Sequence, residues 1–434
     1  MYAAIIGRKL GGLRLKVWQA AVMRSGLLTT IVLALLLAGA GLIVKERGRG
    51  HLSKFTSELK PKPPTLPAAA IQPGGQDPIV LQRSPITGGT LPEFLSATLL
   101  PGRGMNVLQI MAFIPGKGEV PLLVSPTLDE AAKQLNGTGM DANGAASLTM
   151  GAAFEAPWAN RIQGVPVPGG ESVLTSWQGK SIFLPKLIVN GRAGALGGLL
   201  LRRRADHITT NVMPDGGQAQ AVYDAGNFDG HWISKTQITT SVLLSSRVLE
   251  IKVTARNTGS EPEPIGIGWK PRFAIVSGDR ANMTLRMSSA SRVEKRENGV
   301  GLPTGRLLPV TDTKYDFTQR GGAKLGMKSI DESFVHLRPS LLDNGPLVEL
   351  RDTTARFGLR ITALTPTIQT FRVSAPENEA EVSISPQYNY DDPFGREWPK
   401  DEQTGMVVLQ PGESTQWRVR LEMFPLNAQE TEHF

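Results

Sequence analysis

Alternation with a period of two constrains this chain more than any other feature. In LEIKVTAR, Leu249, Ile251, Val253 and Ala255 alternate with Glu250, Lys252, Thr254 and Arg256. Successive side chains of an extended backbone point to opposite faces, so this is the pattern of a strand with one face on a core. The pattern recurs in RFGLRIT, with Phe357, Leu359 and Ile361, and in WRVRLEM, where Trp417, Val419, Leu421 and Met423 are set against Arg418, Arg420 and Glu422. These runs lie far apart, so the β character extends through most of the chain. Turn pairs at Pro115-Gly116, Asn190-Gly191, Asp215-Gly216, Asn298-Gly299 and Pro411-Gly412 punctuate it as antiparallel strands require. Helical periodicity is confined to an N-terminal segment and a short turn around Leu128 to Gln134. The expected fold is all-β, a large antiparallel β-sandwich.

The N-terminus reads differently. Residues 1–25 form a basic tail carrying Arg8, Lys9, Arg14, Lys16 and Arg24 with no acid. The chain has 47 Lys and Arg against 39 Asp and Glu, a formal charge of +8, so five of the surplus charges sit in this tail. The excess is not a basic patch on the domain, no nucleic-acid motif occurs, and no nucleic-acid partner is expected. Residues 26–44, GLLTTIVLALLLAGAGLIV, are 19 residues without a charge. At ~1.5 Å per residue such a helix nearly crosses a hydrocarbon core of ~30 Å. The run is long for the apolar region of a cleaved signal peptide, and Ala38-Gly39-Ala40 is followed by more apolar residues, so it reads as an uncleaved signal anchor. That implies a single-pass membrane protein. Lys45, Arg47, Arg49, Lys54, Lys60 and Lys62 nearly balance the tail, and the reading places the large domain on the outer, periplasmic or extracytoplasmic, side. Residues 45–78, with Pro61, Pro63, Pro64, Pro67 and Pro73, have the composition of an extended linker. The β domain is expected over 79–426, with a C-terminal tail at 427–434.

Scarcity narrows the chemistry. The chain has no cysteine, hence no disulfide and no thiol nucleophile, and its five histidines, His51, His207, His231, His336 and His433, include no spaced metal pair. No phosphate loop, nucleophile elbow or dinucleotide fingerprint is present, and neither metal nor cofactor is expected. Three segments mix polar and aromatic residues: APWANRIQG at 156–164, IDESFVHL at 330–337 and SPQYNYDDPFGREW at 385–398. A pyranose offers a C–H face for stacking and hydroxyls for amides, carboxylates and Arg, which suits that mixture. Loops built on Asn and Asp turn chemistry are the alternative.

Taken in order, these segments resemble the aldose 1-epimerase (galactose mutarotase) family over roughly residues 95–425. The opening LLPGRGMNVLQIMAFIPGKGEVPLLVSP is similar to a family start, and Pro157-Trp-Ala-Asn-Arg-Ile162 to the family's Pro-Tyr/Phe-x-Asn-Arg-Ile signature. Asn257-Thr-Gly through Phe273 is similar to its Asn-x-Gly to His-Pro-Tyr-Phe segment. The resemblance implies a β-supersandwich that interconverts sugar anomers. A Glu would take the proton of the anomeric hydroxyl and a His would protonate the ring oxygen. It implies that Asn160, Arg161 and Asp331 hold sugar hydroxyls. An earlier family His falls on Gly197 of Ala195-Leu196-Gly197-Gly198, the acid His on Lys270 of GWKPRFAI, and the base Glu on Ser385 of Ile384-Ser385-Pro386-Gln387.

Three functions follow. The first is a membrane-tethered sugar- or glycan-binding relative whose epimerase activity is weakened or lost, since a Lys of ordinary pKa ~10.4 is a poor proton donor near neutrality and serine is no carboxylate base. The second is an active carbohydrate isomerase in which Lys270 is the acid and Glu332, Asp391 or Asp392 the base. The third is a structural or protein-binding ectodomain. His231 in Asp229-Gly230-His231-Trp232 is either an imidazole for a relocated site or part of a turn.

Overall fold

The three alternating runs become neighbours in one sheet. Val248–Asn257 pairs antiparallel with Ser414–Pro425, setting Leu249 against Leu421, Ile251 against Val419 and Val253 against Trp417. Ser414–Pro425 pairs in turn with Phe357–Ala363, setting Leu421 against Ile361 and Met423 against Leu359. Directly opposed residues share a face, so the apolar sets of three distant segments merge into one surface. The computed structural model describes residues 70–426 apart from 87, 190, 297–300, 320, 328 and 340–343. Within it the strands form an 11-stranded sheet, this 9-stranded sheet and three smaller ones. Two of the expected turns, at Asn190 and Asn298-Gly299, fall on residues outside that description.

The inward faces of the two large sheets share one apolar core. Phe94, Ile110, Phe154, Trp269 and Phe371 come from the larger sheet, and Ile251, Val253, Trp417 and Leu421 from the smaller. Trp158, Trp269 and Trp417 are fully buried, and truncating a side chain of that size in a core costs about 3–5 kcal/mol. The packed unit takes in residues 70–78: Pro73 is buried and Gln76 donates to the Ala205 carbonyl at 2.7 Å.

Among the described residues no helix is long and apolar enough to cross a membrane. The α-helix Leu128–Gln134, closed at its start by a Thr127/Glu130 capping box, has 7 residues. A helix of that length covers only ~10 Å of a ~30 Å core. The expected single-pass membrane localisation, with the membrane as a partner and the domain on its outer side, is corrected accordingly. The segment 26–44 that suggested it lies outside the described residues.

What positions the site is the alternation of the strand Gly268–Ala274. Trp269, Pro271 and Phe273 are buried, while Lys270 and Arg272 are half-buried and point to the other, outer face of the larger sheet. The same face carries the alternate residues of the flanking strands Ala152–Glu155, Glu381–Gln387, Thr370–Ala375 and Ile330–Leu337.

Candidate functional site

Sheet register builds the site floor. Gly268 pairs with Gln387 and Arg272 with Ser383, which puts Lys270 opposite Ser385. Ser385 pairs with Arg372, and Arg372 with Ser333. On the other flank Lys270 pairs with Ala153, and Gly268 with Glu155. Neighbouring strands lie ~4.8 Å apart, so Lys270, Ser385, Arg372 and Ser333 form one row across four strands, with Glu155 diagonal to Lys270. A Cβ at Gly268 would lie 3.2 Å from Glu155 Oε2 and 2.7 Å from Ala159 Cβ. Glycine there leaves the space that the Glu155 carboxylate occupies.

The loops above the row close a polar network on it. Arg372 Nη2 contacts Asp331 Oδ1 at 2.5 Å, and its Nε lies 3.9 Å from Asp391 Oδ1. Asp391 Oδ2 accepts from Ser333 Oγ at 2.7 Å, and its Oδ1 accepts from Asn160 Nδ2. Asn160, held at φ 59°, donates its backbone N–H to Glu155 Oε2 at 3.2 Å. Asn tolerates that left-handed backbone better than most side chains do. Lys295 reaches Asp331 at 3.3 Å.

Electrostatics follow from burial and from this pairing. Burial pushes the Glu155 carboxyl up, offset in part by the Lys270 charge and the Asn160 N–H. Burial pushes the Lys270 ammonium down; Glu155 opposes that, and Arg372 reinforces it. Burial works against the ionised form of Asp331, but Arg372 and Lys295 outweigh it and hold its carboxyl below the usual range. Arg161 is lowered by burial and by the Arg372 charge, with Asp391 and Asp331 opposing. Lys270 itself has no ion pair within 4.0 Å and no hydrogen bond among the described residues.

The structure therefore brings Lys270, Ser385, Asn160, Arg161 and Asp331 into one constellation, with Asp331 reached through Arg372 and Asn160 through Asp391. Gly197 joins by its backbone, whose N–H donates to the Asn160 carbonyl at 2.8 Å. It has φ 74°, and a Cβ there would meet the Leu148 methyls at 2.9 Å and Leu201 Cδ1 at 3.0 Å. A histidine there would be strained in backbone and would have to displace those leucine methyls.

Of the three carboxylates considered as a base, Asp391 belongs to the network, whereas Glu332 is paired with Arg292 at 3.1 Å. Asp392 is structural: it accepts the Gln163 N–H at 3.0 Å and donates its own N–H to the Arg161 carbonyl at 2.9 Å. Burial and the neighbouring Glu397 carboxylate push it to about 7, against the Gln163 bond. His231 lies in a turn, its Nδ1 2.6 Å from the Phe183 carbonyl. It lines a cavity with Trp158, Phe228 and Arg203 rather than the Lys270 row. Among the described residues no group of three or more acidic or imidazole side chains is placed to hold a metal.

Glu155 and Arg372 were missed by the motif reading. Glu155 precedes the Asn160-Arg161 signature by a few residues and looks like any polar strand position. Arg372 sits in TFRVSA, whose alternation does mark it as outward-facing.

The larger sheet of this β-sandwich carries a polar row on its outer face. The family model described as Aldose 1-epimerase matches residues 141–422, and the chain belongs to that family. Solved structures agree in fold. A galactose mutarotase-like protein from Clostridium acetobutylicum superposes with a TM-score of 0.62 at 15% identity, over 80% of this chain and 98% of that one. A putative aldose 1-epimerase from Escherichia coli K12 gives 0.57 at 17%, over 80% and 100%. The GalM/aldose epimerase homologue from C. elegans gives 0.57 at 18%, over 76% and 96%. No curated protein sequence matches.

Proposed function

We propose that this chain is a sugar-binding member of its family in which anomer interconversion is weakened or lost. The observation that carries the reading is the pair Lys270 and Ser385, side by side on adjacent strands at the positions where the family resemblance places the acid His and the base Glu. Neither replaces its counterpart: a serine hydroxyl is no base of carboxylate strength, and losing one proton-transfer group typically costs ~10² to 10⁴ in rate. The hydroxyl-holding groups fare better. Asn160 is held by Asp391 and Asp331 by Arg372, with Arg161 in the field of both carboxylates, and hydrogen bonds to ionised groups are the strong ones. Titration of the full chain with glucose and galactose, followed by calorimetry, tests the reading. Saturable binding is expected, with loss of at least tenfold in the Asn160→Ala/Arg161→Ala double variant. Unchanged affinity in a folded double variant contradicts it.

A second reading, an active isomerase with relocated proton-transfer groups, draws support from Glu155. Burial moves its carboxyl up and the Lys270 ammonium down, the directions that bring such groups toward the pH at which general acids and bases work best. It requires Lys270→Ala to abolish activity.

A further inference from the structure

The row that carries Lys270 is rich in donors and poor in acceptors. Lys270 Nζ has no acceptor among the described residues, and an ammonium can only donate. Ser385, 3% exposed, makes no side-chain hydrogen bond there. One pair along the same strand face, Ser383 is 5% exposed and its Oγ is buried without a partner. Arg372 Nε also lacks a hydrogen bond, with Asp391 at 3.9 Å. The other cations of this face are committed: Arg372 Nη2 to Asp331 at 2.5 Å, Arg272 to Glu381 at 2.5 Å, and Lys295 to Asp331 at 3.3 Å.

A half-buried ammonium without an anion is costly to hold. The nearest carboxylate of the neighbouring strand, Glu155, does not close the gap. It makes no ion pair with Lys270 within 4.0 Å, its Oε1 is itself buried without a partner, and its Oε2 is engaged with the Asn160 N–H. An acceptor-rich group from outside satisfies Lys270 and the serine hydroxyls together.

Resting on the sugar-binding reading above, we propose that the ligand is an anionic saccharide whose oxyanion, a carboxylate, sulfate or phosphate, lies on Lys270 and Ser385. The hydroxyls then face Asn160, Arg161 and Asp331. Binding is pH-dependent with a definite sign. The charged groups facing Lys270 are Glu155 on one side, Arg272 on its own strand, and Arg372 and Asp331 beyond Ser385. Because burial holds the ammonium below its ordinary value of 10.5, affinity for an anion is present below that lowered value and is lost as pH rises through it.

The test is calorimetric titration of the full chain with glucose, glucuronate, glucose 6-sulfate, glucose 6-phosphate and inorganic phosphate. The comparison is wild type against Lys270→Ala, Lys270→Arg and Ser385→Ala. At least one anionic sugar is expected to bind about tenfold or more tighter than glucose, a preference that Lys270→Ala removes and Lys270→Arg largely keeps. The ordering of the three sugars names the oxyanion. Equal affinity for glucose and all anionic sugars, unchanged in Lys270→Ala, overturns the proposal and leaves the sugar site standing. Lys270-dependent binding of inorganic phosphate without binding of any sugar upholds the anion site and overturns the sugar reading. Binding of none of the five overturns both.

Discussion

Each of the two large sheets carries an ion on its outer face, Glu349 buried and Lys270 half-buried, and the two are treated in opposite ways. On the smaller sheet Glu349 is fully buried and fully met. Its Oε1 takes Arg360 at 2.6 Å, and its Oε2 takes Arg351 at 2.7 Å with Arg286 at 3.5 Å. Burial opposes its ionisation, but the arginines win and hold its carboxyl below the usual range. On the larger sheet Lys270 is left without an ion pair, beside serines without partners. In the first, both oxygens of the buried anion are paired, although Arg286 Nε is buried without a partner. The second is open, and openness of this kind marks functional sites more often than structural ones.

The contrast can be broken. Glu349→Ala strands three arginines, and removing one member of a buried ionic network costs about 3–5 kcal/mol. Urea unfolding is expected to show that loss with sugar binding unchanged, and an unaffected midpoint removes the contrast. Glu263 sharpens it from between the extremes. Its Oε2 accepts from Thr236 Oγ1 at 2.7 Å, while its Oε1 is buried without a partner. Burial pushes it from 4.5 to about 7, against the Thr236 bond. An acid whose folded value is raised contributes stability below its unfolded value and loses it as pH rises through the folded one. Stability is therefore expected to fall between about pH 4.5 and 7 by up to about 3 kcal/mol, and Glu263→Gln to flatten that fall. Lys270 supplies an effect of the opposite sign. A cation whose folded value is lowered binds fewer protons folded than unfolded, so stability rises with pH between the lowered value and 10.5. Lys270→Met is expected to abolish this rise. Its persistence in the variant assigns it elsewhere.

The fold was legible because burial on one face of a strand writes a period of two. At RFGLRIT the pattern understated burial, since Phe424 packs where a Cβ of Gly358 would be, and Gly358 is buried with its neighbours. The site was legible where residues keep a motif's order. Lys270, Ser385 and Asp331 come together because antiparallel pairing places strands 268–274, 381–387, 370–375 and 330–337 side by side, and Asn160 joins them through Asp391. Partnership was not legible. Arg372 and Asp391 tie Asp331 to Asn160 through contacts between residues far apart in sequence, and Glu155 lies diagonal to Lys270, opposite a glycine. The substitution at Gly197 could be read, but not its reason, because φ and the Leu148 and Leu201 contacts exist only in the folded chain.

The most direct measurement follows anomer exchange of α-glucose and α-galactose by NMR, in the presence of the full chain at concentrations that titration shows to be saturating. With sugar bound, the account predicts exchange at or only slightly above the buffer rate. A large acceleration proportional to protein, removed by Lys270→Ala, would contradict it and make this chain a working epimerase with Lys270 as its acid.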